Sequence, residues 1–254
     1  MSRVGFIGTG HIAAPMARAL ARSGHRVTVS ERSAETAAEL VGAGLGIQVA
    51  PNQQVLERSE IVFLCLRPSV WESVSTTLEW RPDHSVISVM AGISLDDLHR
   101  ACAPATDISA TIPYAFVEHG GCPLPVVGNP TALQALFGAD NPVLPQTDAD
   151  ALTHFFAASS LVSAVLGLLE GGANWLGPRT GDGDSAETYL AALVGGFLSH
   201  GSFESAGRLA KEKWGLATPN TLNRQMVDGL EGQGAFADLP SLLDRIAASM
   251  GGDK

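Results

Sequence analysis

Short apolar runs alternate with amphipathic stretches along the first half of the chain. Four of these runs are predicted as strands, at Val4–Ile7, Val27–Ser30, Ile61–Leu66 and Val86–Val89, and Val126-Val127 and Val143-Leu144 are candidate later strands. They are mostly continuous in apolar residues, as is typical of strands that are covered on both faces. Strands that alternate with helices in this way indicate βαβ units around a parallel sheet. We therefore predict an α/β fold with a doubly wound parallel sheet.

The stretch between the first two strands has the spacing of a surface helix. Ile12, Met16 and Leu20 recur every four residues, which places them on one face. Gly24 is expected to end this helix, because glycine readily adopts the left-handed conformation found at helix C-termini.

The strand pattern stops near Gln146, and the remainder of the chain predicts helices. The run Thr153–Leu169 is uncharged, but it contains serines and is shorter than the roughly 20 residues that cross a bilayer comfortably. We therefore predict a buried helix there and no membrane span. The predicted domains are residues 1–147, an α/β domain, and residues 148–254, an all-helical domain.

The charge and the cysteine content limit the kinds of partner that we expect and indicate the cellular compartment. The net charge is −10 with 16 Lys+Arg, so we expect no nucleic acid partner, because such partners require concentrated positive charge. Cys65, Cys102 and Cys122 are widely spaced, which indicates neither a disulfide framework nor a metal site. The chain begins directly with a strand-like segment, without a charged leader. We expect a cytoplasmic protein that binds no metal.

A glycine-rich turn follows the first strand and precedes the first helix. The segment is Gly8-Thr9-Gly10-His11-Ile12-Ala13. Small residues at the first, third and sixth positions allow a tight turn, close approach of a pyrophosphate and close packing of helix on strand. The helix start also presents free N–H groups to an anion. This pattern predicts a Rossmann domain that binds NAD(P)H.

The end of the second strand contains two opposing indications of cofactor preference. Glu31 is placed to accept hydrogen bonds from the adenosine ribose, and its charge repels a 2′-phosphate. Arg32 and Ser33 can instead bind that phosphate, and an arginine fork is a strong phosphate partner. We expect a slight preference for NADPH over NADH.

Three segments of the first domain give the chain a resemblance to the pyrroline-5-carboxylate reductase family. They are Val4-Gly5-Phe6-Ile7-Gly8-Thr9-Gly10-His11-Ile12-Ala13, Ile61-Val62-Phe63-Leu64-Cys65-Leu66-Arg67-Pro68 and Ile87-Ser88-Val89-Met90-Ala91-Gly92-Ile93-Ser94. The resemblance implies reduction of a small cyclic imine in proline biosynthesis. It also implies that the nicotinamide side of the cofactor lies along Leu66, Arg67, Pro68, Met90, Ala91 and Gly92.

The substrate side resembles this family much less. Pro113 alone remains of an Arg-Ala-Met-Pro-Asn-Thr-like stretch, and the serine character of a Ser-Gly-Ser-Gly-Pro-Ala-like helix start remains at Ser159 and Ser160. A Pro-Gly-Gly-Thr-Thr-like loop is present as Thr218–Thr221 without its glycines. The resemblance implies that Ser159 and Ser160 contact the substrate during catalysis and that Pro113 and Thr221 help to bind it.

Two other functions are open at this point. A β-hydroxyacid dehydrogenase-like enzyme shares the N-terminal loop, but such enzymes carry a lysine four residues after an asparagine, and Asn174 has none there. A non-catalytic NAD(P)-binding regulator would explain the altered substrate motifs.

The helical half also contains an indication of the oligomeric state. Gly195-Gly196 within an apolar helix indicates close helix packing. We expect a homodimer through the C-terminal helices, as the resemblance also implies.

Overall fold

The computed structural model describes residues 1–201 and 205–250, and its described part contains one eight-stranded sheet. The strand order is β3-β2-β1-β4-β5-β6-β7-β8. The strands are β1 Arg3–Ile7, β2 Arg26–Ser30, β3 Gln48–Ala50, β4 Ile61–Leu64, β5 Ser85–Ser88, β6 Asp107–Thr111, β7 Leu124–Gly128 and β8 Val143–Pro145. The strands from β1 to β6 pair in parallel, β7 is antiparallel to β6, and β8 is parallel to β7.

Helices connect these strands and form the C-terminal part of the chain. In the sheet region they are α1 Ala13–Arg22, α2 Ala34–Gly42, α3 Asn52–Glu57, α4 Trp71–Ser75, α5 Leu95–Ala101, a 3₁₀ helix Ala115–His119 and α6 Thr131–Phe137. They are followed by α7 Ala151–Ser159, α8 Leu161–Thr180, α9 Gly183–His200, α10 Arg208–Leu216, α11 Leu222–Gly232 and α12 Leu239–Met250.

Each face of the sheet packs against its own apolar cluster. Phe6 and Phe63 are fully buried on one face together with Met16 of α1, and the two phenyl rings stack with centroids 4.9 Å apart. Ile7 and Leu64 follow in the same two strands and are buried on the other face. Successive strand residues point to opposite faces, so covering both faces requires the continuous apolar runs seen in the sequence.

The predicted fold class is confirmed. The four predicted strands correspond to β1, β2, β4 and β5, and Gly24 has the positive φ expected after α1. Strands β3 and β6 were not predicted, because β3 is only three residues long and β6 alternates apolar with polar residues. The antiparallel β7 also departs from the predicted parallel order. After β6 the chain turns back through the short 3₁₀ helix, whereas a parallel strand needs a long crossover.

The chain divides into two compact units. One consists of Met1–Phe156 and Met250, and the other of Ala157–Ser249. The division lies inside α7, between Phe156 and Ala157. The boundary predicted from the sequence is earlier, after residue 147. The start of α7 belongs to the sheet unit because Leu152 packs in one cluster with Ala110 and Val127. Each unit is described by itself below.

The long apolar helix is not buried within the chain, contrary to the prediction for Thr153–Leu169. This run covers parts of α7 and α8, and Leu166 and Leu168 of α8 are 59% and 60% exposed. The buried residues of α8 are Ala173 and Gly177. By length and composition Ala151–Thr180 could cross a membrane, a test that core helices of soluble proteins also pass. The described residues thus leave much of the apolar surface of α8 exposed.

His84 is a buried titratable group directly before β5. Its side chain is fully buried, its Nδ1 accepts a hydrogen bond from the Arg81 N–H at 3.0 Å, and its ring lies edge-on to Trp80. Burial, together with the positive charge of Arg81, lowers the pKa of His84 below its ordinary value of 6.5. The folded protein therefore favours the neutral imidazole.

This burial predicts a pH-dependent stability. Below about pH 6.5 the unfolded chain binds a proton at His84 before the folded chain does, so the free energy of unfolding should decrease as the pH falls. Above that pH both states hold a neutral ring, and the contribution of His84 is complete. We expect His84→Asn to make this dependence shallower, by up to about 1.4 kcal/mol per pH unit, in denaturation curves recorded across pH 5 to 8.

The matched control is His99→Asn, which changes an exposed histidine on α5. It should leave the slope of the wild-type protein unchanged. Equal slopes for wild type and His84→Asn would contradict the role given to the buried ring.

Candidate functional site

The carboxyl ends of the parallel strands bring the predicted cofactor segments to one edge of the sheet. The order β2-β1-β4-β5-β6 places the segments that follow these strands side by side. They begin at Glu31, Gly8, Cys65, Val89 and Ile112 respectively. Ligands of open α/β sheets bind outside this edge. The edge of the sheet unit is therefore the candidate site.

The loop after β1 has a conformation that requires glycine at its first position. Gly8 has a φ of +95°, and a Cβ on it would collide with the carbonyl oxygen of Cys65. At Gly10, by contrast, a Cβ would meet no described protein atom within 4 Å. Gly8 thus closes the turn against β4, and the open side of Gly10 leaves room for a ligand to approach the backbone.

Helix α1 begins behind this loop with an uncapped N-terminus. Ala13 is its first residue, Ile12 holds the cap position, and no side chain caps the helix. Its first N–H groups therefore have no acceptor within the helix and carry the positive end of the helix dipole. His11 is exposed, and a cleft of about 670 Å³ lies beside it and Gly10. This arrangement suits a pyrophosphate.

Two side chains fasten the loop to the end of β2. The Gly8 N–H donates to the Ser30 hydroxyl at 2.8 Å, and the Thr9 hydroxyl donates to the Ser30 carbonyl at the same distance. The two hydroxyl oxygens lie 3.3 Å apart. Thr9 and Ser30 are both buried. Ser30 was not predicted as a site residue, although it directly precedes the segment predicted to contact the ribose.

The residues predicted to contact the adenosine ribose follow Ser30 directly. Glu31 and Arg32 are exposed, and Ser33 is half-buried before the first residue of α2. Both charged side chains are thus accessible at the edge where a ribose would lie.

The segments after β4 and β5 continue the same edge. Cys65 and Val89 extend the strand ladder, through hydrogen bonds from their N–H groups to Ile7 and Leu64. Beyond them lie the residues predicted to contact the nicotinamide side, which are Leu66, Arg67, Pro68, Met90, Ala91 and Gly92. Gly92 has a φ of +73°, so the turn after Ala91 also uses the left-handed region.

Pro113 is buried just beyond β6, and the segment after it is tied to α1. Glu118 in the 3₁₀ helix accepts hydrogen bonds from Arg18 Nε at 2.8 Å and from Arg22 NH1 at 2.6 Å. The hydrogen bond from Arg18 is the main cause that lowers the pKa of Glu118, with Arg22 acting in the same direction. These ion pairs fix the 3₁₀ helix on the helix that begins at the cofactor loop. The sequence analysis missed Glu118, which lies in no recognisable pattern.

The cysteines show no reactive environment. Burial raises the pKa values of Cys65 and Cys102, the latter to about 12, and also raises that of Cys122. Thiols with raised pKa values are poor nucleophiles near neutral pH. Within residues 1–201 and 205–250, no three His, Cys, Asp or Glu side chains are grouped as metal ligands.

Three of the predicted substrate residues lie in the helical unit. Ser159 ends α7 and is half-buried. Ser160 donates to the carbonyl oxygen of Ala157 at 2.7 Å. Thr221 caps α11, where its hydroxyl accepts from the Arg224 N–H at 3.2 Å. The hydroxyls of Ser160 and Thr221 therefore both have structural partners in this unit.

The loop before α11 keeps a left-handed backbone without glycine. Asn220 has a φ of +65°, the one positive value among the described non-glycine residues. Asparagine is among the few residues that tolerate this region. The Thr218–Thr221 loop therefore contains one residue with a left-handed backbone although it has no glycine.

The fold and the loop define the Rossmann class of dinucleotide-binding domains. Residues 3–92 match the family described as NADP oxidoreductase, coenzyme F420-dependent. The chain is also 30% identical over 120 residues to pyrroline-5-carboxylate reductase 3 of Macaca fascicularis. This match covers 44% of the chain and 42% of that relative, so the chain matches less than half of the relative's length.

Solved structures of similar proteins extend the likeness over nearly the whole chain. The 1-pyrroline-5-carboxylate reductase of Streptococcus pyogenes has a TM-score of 0.79 at 20% identity, with 98% of each chain covered. The pyrroline carboxylate reductase of Plasmodium falciparum, solved with NADP bound, has a TM-score of 0.80 at 13% identity, with coverage of 98% and 97%. The chain has the fold of pyrroline-5-carboxylate reductases, and the resemblance seen in the sequence is confirmed.

Proposed function

We propose that the chain is an NAD(P)H-dependent reductase of a small cyclic imine, similar to pyrroline-5-carboxylate reductase. The observation that carries this proposal is the loop between β1 and α1, with its closed turn at Gly8, its open side at Gly10 and the uncapped helix behind it. The names of the similar proteins support the reaction class. The geometry of the loop supports the cofactor class.

The residues of the sheet unit bind and orient the cofactor in this proposal. The N–H groups of Gly10, His11, Ile12 and Ala13 hold the pyrophosphate, and Glu31, Arg32 and Ser33 surround the adenosine ribose. The dihydronicotinamide supplies a hydride. Residues 66–68 and 90–92 would line the site of the nicotinamide ring.

No general acid is needed if the substrate is an iminium ion. Such a substrate arrives protonated, and hydride addition to its C=N carbon gives a neutral amine and the oxidised cofactor. The helical unit then acts by binding the substrate through Ser159, Ser160 and Thr221. Pro113 of the sheet unit is the other residue proposed to bind the substrate. A ketone substrate would instead require a proton donor beside the carbonyl oxygen.

A β-hydroxyacid dehydrogenase-like function is the second candidate, and one observation weighs against it. Asn174 lies in α8, and the position four residues later is Pro178, which has no amine to act as acid or base. A non-catalytic NAD(P)-binding regulator is the third candidate. Its support is the loss of the expected substrate motifs.

Turnover assays distinguish the three candidates. The purified chain is mixed with NADPH and either five- or six-membered cyclic imines, with and without a carboxylate, or 2-keto acids. We expect cofactor oxidation with the imines. Activity with 2-keto acids, or with β-hydroxy acids and the oxidised cofactor, would favour the dehydrogenase. Cofactor binding without turnover in any assay would favour the regulator.

Gly10→Val is the variant that tests the cofactor site in this assay. Its side chain meets no described protein atom close to the Cβ, so the fold should persist, but it fills the space that the pyrophosphate needs. Turnover and cofactor binding should both be lost while the melting temperature stays near that of wild type. Imine reduction that survives in Gly10→Val would contradict the proposed cofactor site.

Arg32 sets the proposed preference for NADPH. Its exposed guanidinium can pair with the 2′-phosphate that NADH lacks. Arg32→Ala should therefore weaken NADPH binding about tenfold and leave NADH binding within about twofold, as measured by fluorescence titration. Arg26→Ala, at the other end of β2, is the matched control. Unchanged NADPH affinity in Arg32→Ala would remove Arg32 from the site.

The uncovered apolar face of the helical unit supports a homodimer. Exposed large apolar residues occur on both long helices, among them Val162, Val165, Leu166, Leu168, Phe197 and Leu198. Trp214, Leu222 and Met226 on α10 and α11 are exposed as well. A second copy of the chain explains apolar residues spread over four helices better than a bilayer does. Among the described residues a single segment, Ala151–Thr180, has the length and composition of a membrane span.

Sedimentation at micromolar concentration should give the mass of a dimer for the wild-type chain. Leu166→Glu places a charge on the apolar face and should shift the protein to monomer. Val41→Glu, at an exposed position of α2, should remain dimeric. A monomeric wild-type chain, or one that partitions into detergent micelles, would contradict the dimer.

A further inference from the structure

We propose that Ser30 is a positioning residue of the dinucleotide site, because it sets the orientation of the pyrophosphate loop. This inference rests on the proposed function of that loop. Ser30 lies at the carboxyl end of β2 and holds the loop through both its hydroxyl and its carbonyl oxygen. Because Ser30 is fully buried, it acts through the loop and not by contact with the substrate.

The hydrogen bonds from Gly8 and Thr9 form a buried polar cluster in an apolar region. Ser30 is fully buried and Thr9 is 2% exposed. A buried N–H without an acceptor costs more than the bond itself is worth. Removal of the Ser30 hydroxyl would leave the Gly8 N–H in that state, and the loop would have to move to reach water.

Movement of this loop changes the direction of the N–H groups that follow it. On its other side Gly8 packs against the Cys65 carbonyl, which can approach because Gly8 has no Cβ. The loop is therefore held between β2 and β4, and loss of one support frees Gly10 and the start of α1 to turn. Anion binding by backbone N–H groups depends on their convergence on one point.

Ser30 also joins the two halves of the cofactor site. Its carbonyl group belongs to the peptide bond that leads into Glu31 and hence into the ribose segment. The Thr9 hydroxyl bonds that same carbonyl at 2.8 Å. The loop and the ribose segment thus share one fixed point. Substitution of Ser30 should weaken the binding of both NADPH and NADH, whereas substitution of Arg32 should weaken only the binding of NADPH, which carries the 2′-phosphate.

The test measures dissociation constants for NADPH and NADH by fluorescence titration. We expect Ser30→Ala to weaken both about tenfold, so that their ratio stays within about twofold of the wild-type ratio. Affinities equal to those of wild type would overturn the proposal. A loss confined to NADPH would also overturn it, because Ser30 would then act on the ribose side alone.

A second pair of variants keeps the test valid if Ser30→Ala folds poorly. Thr9→Val removes the other hydroxyl at nearly constant shape, and Thr9→Ser restores a hydroxyl at that position. Thr9→Val should weaken both dinucleotides, and Thr9→Ser should recover most of the affinity. Equal affinities in these two variants would overturn the proposal.

The control for buried-hydroxyl loss is Ser59→Ala. Ser59 is buried after α3, and its hydroxyl donates to the Val55 carbonyl at 2.6 Å, away from the loop. It should lower the melting temperature without changing either dissociation constant. If it weakens cofactor binding as much as Ser30→Ala does, the effect is general destabilisation and the proposal fails. A wild-type chain that binds neither dinucleotide would overturn the proposed function itself, and this inference with it.

Discussion

The absence of a side chain at Gly8 is the constraint on which the site depends. Because this side chain is absent, the Cys65 carbonyl that follows β4 can approach the loop. The Ser30 hydroxyl at the end of β2 accepts a hydrogen bond from the Gly8 N–H. Three neighbouring strand ends are thereby joined at one residue with a φ of +95°. Helix α1 must then begin where its free N–H groups face the open edge of the sheet. The position of the candidate cofactor site follows from this contact.

The sheet unit was largely predictable because its burial requirements are local. A parallel strand covered on both faces must be apolar throughout, and Phe6 and Ile7 meet that requirement within one strand. Strand β6 was not predicted because Asp107, Ser109 and Thr111 interrupt its apolar residues, although the last two are buried. Strand β3 was not predicted because an edge strand of three residues carries too few positions to show a pattern.

Only the part of the candidate site that depends on backbone conformation could be predicted from the sequence. Glycines at fixed spacing are visible in a sequence, whereas hydrogen bonds between distant side chains are not. Ser30 meets Gly8 across 22 positions, and Glu118 meets Arg18 across 100. Asn220 is a different case, because its left-handed backbone occurs at a residue other than glycine, which a glycine pattern does not reveal.

The helical unit shows that a helix with an apolar sequence is not necessarily buried within its own chain. The hydrophobicity of α8 reports only that its surface avoids water, and not which molecule covers it. Among residues 1–201 and 205–250 nothing covers most of Leu166 and Leu168, while Ala173 and Gly177 are buried. Under the proposed dimer, the second copy covers the same apolar residues that made the sequence resemble a buried core. The sheet unit obtains its burial from its own helices, so its pattern could be interpreted from one chain, and the helical unit's pattern could not.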